Sequence, residues 1–362
     1  MNQYARECIL NRKDYIPGKP IEEVQKEFGI TDIIKMASNE NPMGTSPKAI
    51  EAMIEEVKTN SCRYPVSLCT ELAGKLAKRL GVAENQIYID NGGDAVITMY
   101  GLTFFNPDDE IVTADTTFPA YENITTKMGA TIKKIPLTQG GYFDLPAMLK
   151  AVTEKTKTVF ICSPNNPTGP ITPKKDIIDF LDKVPSSTLV FLDEAYIDFS
   201  SNPSFLRELE TWPNLVVLQT LSKAWGAAAI RLGMAFASPE IIAVLNKIKY
   251  PYNVNLLTQE KALELLDPER MKVQLNHILQ GRSRLRRELA SIPIVRRVYP
   301  TDANFFLVDV GDADRVYQDL VGQGIIVRNR NRVTLCRGCL RITVGTEVEN
   351  MLLIAALKRM QP

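Results

Sequence analysis

The chain has 362 residues, enough to bury a large core and, at ~150 residues per domain, to divide into two or three domains. Lys plus Arg number 43 against 42 for Asp plus Glu, a formal net charge of +1, so no long-range field draws the chain toward nucleic acid or an anionic membrane, and any anion it binds is captured locally. No run of about 18 uncharged apolar residues marks a membrane span, so a soluble globular chain with neither nucleic acid nor membrane as partner is expected.

The N-terminal stretch MNQYARECILNRKDYIPGK has no apolar core followed by a small-residue cleavage site, and residues 1–38 read as a short arm of a cytoplasmic protein. From residue 86 one pattern recurs, a short β-branched run that ends in polar or Gly-rich residues and is followed by a helix-like segment. The runs are 86–90, 110–115, 131–137, 158–163, 188–193, 215–220 and 233–238. Seven of them alternating with helices predict an α/β domain over 39–255, with a mainly parallel seven-stranded sheet covered by helices. In such a sheet ligands sit beyond the carboxyl ends of the strands, so polar residues that directly follow the runs are the first candidates for a site. From residue 256 long helices rich in Leu, Arg and Glu precede strand-like runs at 304–310, 325–328 and 340–344 and a closing amphipathic helix. This predicts a smaller α+β domain over 256–362, to which the arm contributes.

The only histidine, His277, lies in a stretch with helical spacing, which excludes multi-histidine metal sites and leaves proton transfer to Lys, Tyr, Asp or a cofactor. Six cysteines at 8, 62, 69, 162, 336 and 339 read as free thiols. Cys336 and Cys339 form a C-x-x-C, but no second ligand pair accompanies them, and no metal is expected.

Four strand ends carry a coherent chemistry. After IYID, the turn Asn91-Gly92-Gly93-Asp94 opens a helix-like segment and presents free backbone N–H groups to a phosphate, although a Gly-Gly turn alone is often only a turn. After VFICSP come Asn165 and Asn166, whose amides can donate to a ligand oxygen or serve the turn. The run TLVFLD delivers Asp193 and Glu194, with Tyr196 behind them; a carboxylate there can hold a protonated ring nitrogen or cap a helix. After LVVLQ, Thr220, Ser222 and Lys223 follow directly and Arg231 comes eight residues past the lysine. These are an amine for an aldehyde and partners for a phosphate. Together they make up the inventory that pyridoxal phosphate requires.

With SNENP at 38–42, RYP at 63–65, SPNNPTG, DEAY, TLSKAW and CLRITVG in this order, the chain resembles the fold-type I pyridoxal-phosphate aminotransferases of class II, and among them the histidinol-phosphate aminotransferase family, over nearly its whole length. The resemblance implies that Lys223 holds pyridoxal 5'-phosphate as a Schiff base and shuttles the proton, that Asp193 keeps the ring nitrogen protonated, and that Asn166 and Tyr196 bond the ring oxygen. It implies that Gly93, Asp94, Thr220, Ser222 and Arg231 hold the phosphate and that Phe118 stacks on the ring. It also implies a homodimer in which Tyr64 reaches the neighbouring subunit's phosphate. Arg341 and Arg328 take the substrate's anion, with the register of Arg328-Asn-Arg-Asn-Arg332 leaving Arg330 or Arg332 open for the second role. Asn41, where some members carry tyrosine, and Tyr252 with Asn253 are candidates for the substrate pocket.

The activity so implied is transamination of L-histidinol phosphate with 2-oxoglutarate, giving imidazole-acetol phosphate and glutamate, a step of histidine biosynthesis. The cofactor residues leave open an aromatic amino-acid aminotransferase, or a decarboxylase of a phosphorylated amino acid such as threonine phosphate, because the cofactor does not decide which bond to the α-carbon breaks. A cofactor-binding regulator that reads DNA would need an added helix-turn-helix, for which the arm before Asn39 is too short.

Overall fold

The computed structural model describes residues 4–10, 19–265 and 268–361. Residues 1–3 and 11–18 of the arm, and 266–267 between the first two helices of the C-terminal part, lie outside the described residues.

In chain order the first strands are β1 (Ile34–Lys35), β2 (Ile87–Asp90), β3 (Glu110–Ala114), β4 (Thr131–Ile135), β5 (Thr156–Cys162), β6 (Leu189–Asp193), β7 (Leu215–Thr220) and β8 (Gly233–Phe236). All but β1 join one seven-stranded sheet in the order β2-β8-β7-β6-β5-β3-β4, one strand for each apolar run in the sequence. The pairs from β7 to β4 are parallel, and β8 alone runs antiparallel to both of its neighbours. The central strands β6 and β7 and the 159–162 half of β5 are nearly continuous apolar runs, almost wholly buried, as expected where helices cover both faces of a sheet. An aromatic cluster of Tyr100, Phe105, Tyr121, Phe160 and Phe191 fills the space between β5, β6 and two of these helices.

The C-terminal part contains β9 (Arg297–Val298), β10 (Phe305–Asp309), β11 (Ile325–Ile326), β12 (Arg328–Asn329) and β13 (Cys339–Thr343). Four of these form an antiparallel sheet in the order β12-β13-β10-β9, backed by the helices Pro268–Ala290 and Glu347–Lys358, with Leu285, Leu289, Phe305, Ile342 and Leu357 in its core. The run at 325–328 is not one strand as expected. It divides at Val327: β11 pairs in parallel with β1 of the arm, and β12 pairs with β13. The division turns Arg328 toward β13, whereas a continuous strand would have carried it along β1.

Met36 of the arm and Tyr196 and Phe199 of the large-sheet region belong to the same buried cluster as the small sheet, so the two parts share apolar packing at the carboxyl ends of β5 to β7. His277 lies in the helix Pro268–Ala290 and does not line the cavity found there. The six cysteines are free, and Cys336 and Cys339 are buried. Among the described residues no helix is long and apolar enough to cross a membrane, and no three His, Cys, Asp or Glu side chains are grouped to hold a metal ion.

Candidate active site

A cavity of about 300 Å³ opens beyond the carboxyl ends of β2, β5, β6 and β7, closed on its far side by the arm and the small sheet. One end is built from glycine. Gly92 has φ +89, and a Cβ there would stand 2.4 Å from the Arg231 guanidinium; a Cβ on Gly233 of β8 would meet the Gly92 carbonyl carbon and the Gly93 nitrogen, both at 2.5 Å. The helix Gly93–Phe104 therefore begins at the cavity wall with the amides of Gly93 and Asp94 outside its own hydrogen-bond ladder, and Arg231 lies across the turn. On the adjoining strand end, Ser222 N–H donates to Thr220 Oγ1 at 3.1 Å, and the two hydroxyls stand 3.0 Å apart.

Asp193 and Glu194 are consecutive, so a strand sends them to opposite faces. Asp193 enters the cavity, where Tyr121 donates to its Oδ2 at 2.6 Å and the Ala195 N–H to its Oδ1 at 2.9 Å; burial pushes its carboxyl up to about 6. Glu194 turns away and accepts from Ser204 Oγ at 2.5 Å, Phe205 N–H at 2.8 Å and Gln219 Nε2 at 2.9 Å, pinning the loop after Phe199. The asparagine pair divides in the same manner. Asn165 ties its turn to the loop after β3, bonded to Thr116 and Thr117 there and to Thr168 in its own turn, while Asn166 lines the cavity.

Lys223 opens onto the cavity and is otherwise enclosed by protein. Its Nζ donates to the Ser38 carbonyl at 3.0 Å and lies 5.8 Å over the Tyr196 ring. Burial, reinforced by the Arg341 charge, lowers the amine to about 8, so near neutral pH an appreciable share carries a free lone pair. Arg341 on β13 donates to Asn166 Oδ1 and to the Ala37 carbonyl, both at 2.6 Å, and its register partner on β12 is Arg328. An arginine can only donate, so the Asn166 oxygen is committed to it and the Asn166 NH2 is the half left for a ligand. Tyr196 accepts from Asn39 Nδ2 at 2.9 Å, and burial holds its phenol protonated, up to about 12.

Of the residues expected from the sequence, the cavity brings together Gly93, Asp94, Phe118, Asn166, Asp193, Tyr196, Thr220, Ser222, Lys223, Arg231, Arg328 and Arg341. Arg330 lines it as well, and Arg332 does not. Three others lie elsewhere. Asn41 is buried behind the wall, its amide donating to the Ala224 carbonyl and to Gln274; Tyr64, 81% exposed, stacks on Tyr252 at 4.7 Å outside the cavity. Neighbouring Asn253 is tied to Asp90 at 2.5 Å. Sequence reasoning missed Tyr121, which sits in an ordinary helix run and acts only through Asp193. It also missed Asn39, although the Ser38-Asn39-Glu40-Asn41 motif that contains it was in view.

One volume is thus lined by a glycine turn with free backbone amides, a buried acid, an amine of lowered proton affinity and paired arginines. Known proteins resemble this chain over most of its length. The family model for aminotransferase class I and II matches residues 31–357, so the chain belongs to that family. A histidinol-phosphate aminotransferase of Parabacteroides distasonis is 47% identical over 345 residues, 95% of this chain and 95% of the relative. That of Bacteroides thetaiotaomicron is 42% identical over 97% of this chain and 98% of the relative. Within the class, then, the chain belongs to the histidinol-phosphate aminotransferase family. The solved structure of a histidinol-phosphate aminotransferase from Sinorhizobium meliloti in complex with pyridoxal-5'-phosphate superposes with a TM-score of 0.89 over 98% of this chain and 97% of that one, at 24% identity. The fold is therefore that of the fold-type I aminotransferases, with the large mainly parallel sheet and the smaller antiparallel one.

Proposed function

We propose that this chain catalyses the reversible transfer of the amino group of L-histidinol phosphate to 2-oxoglutarate, giving imidazole-acetol phosphate and L-glutamate, with pyridoxal phosphate as cofactor. One observation carries the reading: Lys223, an amine lowered to about 8, opens onto a cavity with a glycine cradle at one end and a buried carboxylate, Asp193, on its wall. The relatives at 47% and 42% identity, named histidinol-phosphate aminotransferases, support histidinol phosphate as the amino donor.

The residues fit that cofactor. A Cβ at Gly92 or Gly233 would fill the cradle, the N–H groups of Gly93 and Asp94 with Ser222, Thr220 and Arg231 suit a phosphate, and Phe118 offers a ring face. Asp193 would hold a protonated ring nitrogen, and the Asn166 NH2 and the Tyr196 hydroxyl would donate to the ring oxygen. Bound there, pyridoxal phosphate supplies the aldehyde and the electron-accepting ring that transamination needs. Lys223 Nζ, on the cavity wall, would be the group that takes the proton from the substrate carbon that bears nitrogen and gives a proton back. With its lowered pKa it serves as base and acid near neutral pH. Arg341 and Arg328 fork the phosphate of one substrate and a carboxylate of the other, since a planar guanidinium suits both.

We infer further a cytoplasmic homodimer in which Tyr64 of each copy serves the other copy's cofactor phosphate. Tyr64 is exposed and lies outside its own cavity, and Ile50, Ile54 and Val57 leave an apolar stripe exposed on the nearby helix Pro47–Asn60. The division into an arm at 1–38, a cofactor-binding domain at 39–255 and a small domain at 256–362 is part of the same reading. Purified protein supplied with both substrates tests the reaction: glutamate should form with turnover. No glutamate, alongside turnover of aromatic amino acids or release of carbon dioxide, rejects the substrate assignment.

A further inference from the structure

Asn39 is buried at the cavity wall with φ +55, a conformation that asparagine tolerates better than most residues. All its polar groups are bonded, and their directions follow one from another. Its backbone N–H can only donate, and it donates to Thr343 Oγ1 at 3.0 Å. The threonine hydrogen must then point elsewhere, and it reaches Asn39 Oδ1 at 3.2 Å. With Oδ1 fixed as the acceptor, Nδ2 is the half of the amide that meets Tyr196, donating to its hydroxyl oxygen at 2.9 Å. The phenol is thereby held as an acceptor on the arm side, and its own hydrogen is left for the cavity that Tyr196 lines. Asn304 Nδ2 holds the Asn39 carbonyl at 3.1 Å, so the residue is fixed from three elements.

We propose that Asn39 and Thr343 are positioning residues that set the direction of the Tyr196 hydroxyl, so that it donates to the ring oxygen of the cofactor and does not turn its hydrogen to the protein. This rests on the reading of Tyr196 given above. Thr343 lies two residues past Arg341 on β13, on the same face of the strand, so one strand both binds the substrate's anion and orients the phenol. A hydrogen bond to the charged ring oxygen favours the charged form, so the pH midpoint of the holoenzyme's visible absorbance reports the orientation directly.

Thr343→Val keeps the shape but removes the hydroxyl, which frees the Asn39 amide to present its oxygen to Tyr196. The midpoint of the visible titration should rise by about one pH unit, in the direction of the change that Tyr196→Phe produces, while Thr343→Ser should leave it in place. Asn39→Asp, whose side chain has no hydrogen to give, should move the midpoint the same way and serves as a second route should the valine variant fold poorly. A Thr343→Val midpoint at the wild-type value, with Tyr196→Phe displaced, overturns the proposal and leaves the role of Tyr196 standing. A midpoint that Tyr196→Phe does not move removes both.

Discussion

Arg341 donates to the side-chain oxygen of Asn166 at 2.6 Å, which joins an arginine of β13 to an amide on the opposite wall of the cavity. The two residues come from the small sheet and from the turn after β5, so the bond spans the cleft between the two sheets. On the proposed function, an anion that recruits Arg341 would change what Asn166 has to offer a ring oxygen.

Replacing that arginine with lysine keeps the charge but loses the fork, and an ammonium on a shorter stem cannot serve Asn166, the Ala37 carbonyl and an anion together. Loss of one charge-assisted hydrogen bond costs roughly 1.5–3 kcal/mol. Arg341→Lys should therefore lower kcat/KM about 10- to 100-fold for both substrates in steady-state kinetics. A loss confined to one substrate would show that the two anions use different partners.

The lowered amine of Lys223 predicts the pH dependence of cofactor capture. Only the deprotonated amine attacks an aldehyde, so the rate at which apoprotein takes up pyridoxal phosphate should rise about tenfold per pH unit below about 8 and level off above it. Stopped-flow absorbance measures this. A rate still climbing toward pH 10 would mean that the amine keeps its ordinary proton affinity.

Asp193 makes an opposite kind of prediction, for stability. Its carboxyl is raised to about 6 from 3.8, so the folded apoprotein binds more protons than the unfolded chain between those values. The stability this group contributes is present below pH 4 and lost as pH rises through 6. Ionised Asp193 thus costs the apoprotein up to about 3 kcal/mol at neutral pH. Asp193→Asn should raise the urea midpoint of the apoprotein at pH 7.5 and much less at pH 4.5, while abolishing most activity of the holoenzyme. Equal midpoints at pH 7.5 would contradict the burial of that charge.

At the other end of the cavity, Gly233→Ala would set a methyl 2.5 Å from the backbone of Gly92 and Gly93, which must move. The displaced amides should weaken cofactor binding about tenfold or more, roughly the loss of one hydrogen bond to a charged group. Fluorescence titration of the apoprotein reads this loss, and an unchanged affinity would remove the cradle from the phosphate's contacts.

Much of this site was legible because each strand end carries its chemistry in a few consecutive residues. The glycine turn, the Asp193 step and the lysine after β7 were read from their own segments, and the parity of a strand already separates Asp193 from Glu194. What escaped is of another kind. Tyr121 and Asn39 act through partners 72 and 157 positions away, and only the fold brings them together. The split of 325–328 into β11 and β12 depends on a two-residue strand of the arm that has no alternation to reveal it. That Arg330 and not Arg332 lines the cavity with Arg328 is likewise a matter of the fold, because local sequence offers three arginines at alternate positions.

The proposed chemistry depends on one amine, that of Lys223, and borohydride reduction of the holoenzyme followed by peptide mass spectrometry tests it most directly. A single pyridoxyl adduct on the peptide that carries Lys223, with loss of the visible band, is the predicted result. An adduct spread over other lysines, or a visible band that survives reduction and the Lys223→Ala substitution, would contradict it.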